Sequence, residues 1–162
     1  MSRMQVVRER HIRLMEKSCQ TLGNLIANLS LEDAQTWRDG GDGWTVTEVM
    51  CHLRDFDGFF LGRAQTMVAE DHPVLPGYDH DALVLERRYN DQDVFAVYDE
   101  LRQSRAQFVA FFKGLTAEQW ERTGVHPERD YFDMTDSVMQ VGLHDNDHIE
   151  QISRIITQKK VN

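Results

Sequence analysis

Cysteine is nearly absent from this chain. Cys19 and Cys51 are its only two, too few for a disulfide framework, and both are expected as small buried hydrophobes. Proline is also sparse: Pro73, Pro76 and Pro127 leave long segments without a helix breaker. No apolar run approaches the roughly 18 residues that cross a bilayer. No hydrophobic stretch follows the basic residues near the N-terminus, so no secretory leader is expected and a cytoplasmic location is. Positive charge is in deficit, with 18 Lys plus Arg against 27 Asp plus Glu and a formal charge of −9. Such a chain repels phosphate backbones on average, which argues against a nucleic-acid partner. Strand-like alternation is missing over any useful length.

Helical periodicity is what remains. Across 162 residues, 41% of them hydrophobic, there is enough apolar surface for one full core, so a single domain over 1–162 is expected. Val7, His11, Leu14, Met15, Leu22, Leu25 and Leu29 recur at three- and four-residue steps, which is one face of a helix. Thr45 followed by Glu48 is a helix-start spelling, and it opens a stripe of Val49, Leu53, Phe56, Phe60, Ala64 and Met67. A third stripe runs from Val94 to Leu115, and a fourth from Met134 through Val138, Val141, His144, His148, Ile152 and Ile155. Helices are predicted over 3–29, 45–70, 92–114 and 134–158. Loops are predicted around Gly40 to Gly43, His72 to Gly77, and Gly124 to Asp133. The fold class is therefore all-α, a four-helix bundle with an extra short helix near 79–88, in the connection between the second and third long helices.

Seven histidines pose the functional question. His144 and His148 stand one turn apart on a helix, and both fall in the core-facing stripe. Buried imidazoles need partners for their ring nitrogens, supplied by another helix or by a shared cation. His52 lies beside Val49 and Phe56, on the margin of the second helix's stripe. Three neutral imidazoles from two helices make a facial set with positions left open for water or substrate. His11, His72, His80 and His126 read as surface or structural residues, His126 least securely because a loop at a bundle mouth can reach a site. Asp55 and Asp147 are candidates to orient an imidazole or act on water, whereas Asp57 and Asp145 read as solvated helix-face charges.

The same residues carry a resemblance. The stretch from Gly43 to Asp55 (with Trp44, Thr45, Glu48 and His52), Pro73 to Tyr78, Trp120 to Pro127, and His144 to Ile152 together resemble the DinB/YfiT-like superfamily of small metal-dependent enzymes. The resemblance spans nearly the whole chain. It implies a four-helix bundle, commonly a homodimer, that binds a divalent metal, zinc or nickel, through one histidine of the second helix and two of the fourth. Those roles carry over to His52, His144 and His148. It also implies a small-molecule substrate, with thiol S-transfer using a low-molecular-weight thiol, or hydrolysis, as the reaction. The alternative is a non-catalytic metal-binding or stress-response bundle. The aromatic-rich middle helices, with Trp37, Trp44 and Trp120, point weakly to a dimer as well.

Overall fold

Hydroxyl side chains start three of the helices. Ser2, Ser30 and Thr45 each accept a hydrogen bond from the backbone N–H three residues on, and the side chains of Gln5, Asp33 and Glu48 each accept one from the capping residue's own backbone N–H. These reciprocal caps satisfy N–H groups that a helix end leaves unpaired. In the computed structural model, which describes residues 2–160, the helices are α1 (Arg3–Ile26), α2 (Leu31–Thr36), α3 (Val46–Ala69), α4 (His80–Glu86), α5 (Val94–Gly114) and α6 (Met134–Lys160). Met1, Val161 and Asn162 of the expected 1–162 domain lie outside the described residues.

The four long helices α1, α3, α5 and α6 form the bundle, as periodicity predicts. Helix α1 packs against α5 and α6, and α3 packs against the same two. Helix α3 and helix α6 are thus neighbours, which brings His52 next to His144 and His148. The extra short helix lies where it was expected, as α4. The predicted first helix, 3–29, ends earlier, because Ser30 opens the separate helix α2.

The core falls into two apolar clusters. One gathers Leu22, Val49, Leu53, Leu101 and Ile152. The other gathers Met15, Phe60, Phe108, Phe112 and Val141. Between them runs a polar layer, and here the expectation for Asp57 and Asp145 fails. Both are buried, at 2% and 1% exposure, as is Arg105 at 3%. Arg105 Nε donates to Asp57 Oδ1 at 2.7 Å, while its terminal nitrogens donate to Asp145 at 2.7 and 3.0 Å and to the Met15 carbonyl at 2.7 Å. Ser104 donates to Asp57, and Ser18 to Asp145. The carboxylates are inside because a cation from a third helix meets them there.

A second correction concerns residues 124–133, expected as a loop. They hold most of an antiparallel hairpin, β1 (Thr123–His126) and β2 (Asp130–Asp133). Four-residue strands are too short for alternation to declare itself. The chain turns between them with Asp130 in the left-handed region, at φ 63°. Hydrogen bonds from Val125 to Pro73 and from Leu75 to Val125 tie the hairpin to the 73–75 segment. Gly124 permits this approach, since a Cβ there would stand 3.0 Å from the Pro73 carbonyl oxygen. Among the described residues, no helix is long and apolar enough to cross a membrane.

Candidate metal centre

His52 sits two turns into α3, and His144 and His148 lie on the facing side of α6. Their ring centroids are 5.0, 4.7 and 4.6 Å apart. One nitrogen from each ring lies within 4.8 Å of the others. Nε2 of His52 and Nε2 of His144 are 2.9 Å apart. Two nitrogens at right angles about one ion, with bonds of about 2.1 Å, would be separated by about 3.0 Å. A direct hydrogen bond between the two rings fits that distance too, and in either case buried His52 Nδ1 has no partner among the described residues.

His148 is oriented from outside the cluster. Its Nδ1 lies 2.8 Å from Gln151 Oε1, an acceptor, so the ring is protonated at Nδ1 and Nε2 keeps its lone pair. Gln151 Nε2 in turn donates to Asp39 Oδ2 at 3.3 Å, and Arg154 holds Asp39 by two hydrogen bonds of 2.9 and 2.7 Å. Partners of this kind fix a metal-binding imidazole's tautomer and angle. The sequence reading assigned this role to Asp55 or Asp147. Asp55 instead binds Arg54, Arg87 and the Tyr89 hydroxyl, and Asp147 is exposed. Gln151 fills the role because it lies three residues after His148, on the same helix face.

Electrostatics keep the three rings neutral. Burial, reinforced by the neighbouring imidazoles, lowers His52 from the ordinary 6.5 to about 2. Burial, with His148 and Arg105 nearby, lowers His144 to about 3. His148 is lowered as well, again by burial, against an upward pull from Gln151. Neutral imidazoles are the form that ligates, so the donor set suits a divalent ion. A pH dependence follows. Below about 6.5 the unfolded chain takes up protons that these folded rings refuse. Stability of the metal-free protein should therefore be full above that pH and fall below it, by about 1.4 kcal/mol per pH unit for each such group. Urea midpoints measured from roughly pH 8 down to pH 5 check this, and a flat profile contradicts it.

The cluster is open on one side. A cavity of about 550 Å³ lies over the imidazoles. His52 and His144 form part of its floor with Phe56, whose ring centroid is 4.2 Å from that of His52 and 5.6 Å from that of His144. Trp44 and exposed His80 stand on one wall, and Arg63, Tyr78 and His126 on another. His126, set aside as a surface or structural residue, is only 4% exposed and lies 3.0 Å from Arg63 Nη1. The hairpin buries it, which is why composition and spacing did not reveal its place.

Known proteins resemble this chain in sequence and in fold. A protein of Halalkalibacterium halodurans, provisionally named a metal-dependent hydrolase, is 24% identical over 95% of this chain and 91% of its own length. Another of Oceanobacillus iheyensis, with the same provisional name, is 24% identical over 85% of this chain and 79% of its own. The solved structure of YfiT from Bacillus subtilis, described as a four-helix bundle of unusual topology, matches with a TM-score of 0.87 at 22% identity, covering 99% of this chain and 90% of that one. A mycothiol-dependent maleylpyruvate isomerase matches with a TM-score of 0.75 at 9% identity, covering 94% of this chain and 63% of that one. With the DinB superfamily model matching residues 14–152, the chain belongs to that superfamily.

Proposed function

We propose that this chain is a metal-dependent hydrolase of a small cytoplasmic substrate, with His52, His144 and His148 holding one zinc or nickel ion. The observation that carries this reading is the placement of three neutral imidazoles at the floor of an open cavity. A purely structural site more often closes its shell with four protein ligands. The openness therefore counts against a non-catalytic bundle, and the provisional names of the relatives support hydrolysis. A divalent ion there supplies a Lewis acid that brings the pKa of water or a thiol toward neutrality. The chain's own residues do the rest. Gln151 and Asp39 hold the His148 ring at its angle, and Phe56 and Trp44 keep bulk water off the His52 ring.

A second reading keeps the same site and replaces water with a low-molecular-weight thiol, giving S-transfer. The fold of the mycothiol-dependent enzyme favours it. One experiment separates the readings. The purified protein is assayed for metal content, then screened against small esters and amides with and without added thiol. About one ion per chain and chelator-sensitive cleavage without thiol is the expected result. Turnover only with thiol moves the assignment to transfer, and cleavage unaffected by metal removal refutes both. The expected homodimer stays part of this proposal on the family resemblance alone. The three tryptophans pack within the chain, Trp37 and Trp44 against one core cluster and Trp120 stacked on Phe112, while Phe95 is exposed. A monomer mass by light scattering would remove it.

A further inference from the structure

Arg63 and Arg105 are both buried arginines, and they are treated differently. Arg105 meets two carboxylates. Arg63, 5% exposed, has no carboxylate within 4.0 Å among the described residues. Its Nε and Nη2 both donate to the Pro76 carbonyl, at 3.0 and 2.6 Å. Its Nη1 lies 3.0 Å from His126 Nε2, and its guanidinium carbon lies 5.2 Å from the Tyr78 ring centroid. A guanidinium has five N–H groups. Nε–H and one Nη2–H are taken by Pro76, which leaves N–H groups on both terminal nitrogens, the end from which a guanidinium can hold a carboxylate by two bonds. A buried cation with neutral partners only is costly, unless a ligand completes it. Arg63 also lines the cavity that holds the three histidines.

We infer that Arg63 is the recognition residue for a carboxylate on the substrate, held in place by Pro76 and His126, so that the reacting bond lies over His52, His144 and His148. The inference rests on the hydrolase reading for the second half of that statement, while the anion site itself does not depend on a metal. The overall charge of −9 discourages anions in general, which makes one buried fork a selective acceptor. Glu128, exposed and also lining the cavity, is the acidic group that competes with a ligand for it.

The test uses the full chain, stripped of metal and verified as helical by circular dichroism, at about pH 8 where imidazoles are neutral. Propionate, its neutral isostere propionamide, and inorganic phosphate are titrated and followed by NMR. Propionate should bind saturably and at least tenfold better than propionamide. Arg63→Gln should lose that preference, Arg63→Lys should keep part of it, and Glu128→Gln should strengthen it. Metal uptake by Arg63→Gln should equal that of the parent chain. Equal binding of propionate and propionamide, an unchanged preference in Arg63→Gln, or a site that takes phosphate and not propionate overturns the proposal. If the parent chain takes up no metal yet prefers propionate through Arg63, the hydrolase reading fails and the anion site stands.

Discussion

Replacing Arg105 with methionine should remove 3–5 kcal/mol of stability, on the order of half of what a domain of this size possesses. The mechanism is specific. Asp57 and Asp145 are almost wholly buried and share Arg105 as their cation. Methionine fills much of the same space but leaves two carboxylates facing each other across a dry layer. The loss should shrink as pH falls. Burial already raises the Asp57 pKa, with the guanidinium opposing it. Without that opposition the carboxyl is raised further, and a raised folded pKa means stability that is present at low pH and lost as pH rises. Replacing all three charges together (Asp57→Leu, Arg105→Met, Asp145→Leu) should recover most of the loss, since burial of an ion cluster is itself expensive. Urea unfolding of the single and triple variants decides the matter. A single variant within about 1 kcal/mol of the parent would mean that the layer is hydrated.

His144→Ala should take metal uptake from about one ion per chain to a level below detection. The effect is the largest expected for binding because the substitution removes one of the three imidazoles whose nitrogens lie within 4.8 Å of one another. His148→Ala should do the same, and both variants should keep their helical content, since the two apolar clusters do not depend on these rings. Gln151→Leu sets the scale. It removes only the group that orients His148, so affinity should fall by about 10–100-fold rather than vanish. Chelator competition at about pH 8, where unliganded imidazole is neutral, reads all three. Equal uptake by His144→Ala and the parent chain would dismiss the site.

The difference between Gln151 and His148 also marks what can be read from residue order. The histidine pair stands out because its four-residue spacing falls within a stripe that also holds Val141 and Ile152. The bundle itself is legible for the same reason, and Thr45 with Glu48 fixes where α3 begins. Asp57 and Asp145 could have been placed inside by the same test. Asp57 stands four residues after Leu53 and three before Phe60, and Asp145 four after Val141. Charge outweighed position in that reading because the compensating Arg105 belongs to another helix, 48 residues from Asp57 and 40 from Asp145. The link from Gln151 to Asp39 spans 112 residues, and His126 is buried only once a hairpin of two four-residue strands has formed. Each of these depends on tertiary pairing, which periodicity does not encode.

The hairpin that was expected as a loop has a bearing on how this scaffold could diversify. The three imidazoles stand on long helices whose positions are set by the whole bundle, whereas Tyr78 and His80 lie at the entry to the short helix α4 and His126 and Glu128 lie at the tip of the hairpin. Exchanging exposed positions there, His80 and Glu128 among them, would therefore reshape what fits above the floor while leaving the three imidazoles as they are. A library confined to such exposed positions is the economical place to search for new substrates, and its members should unfold at similar midpoints even as their preferences diverge.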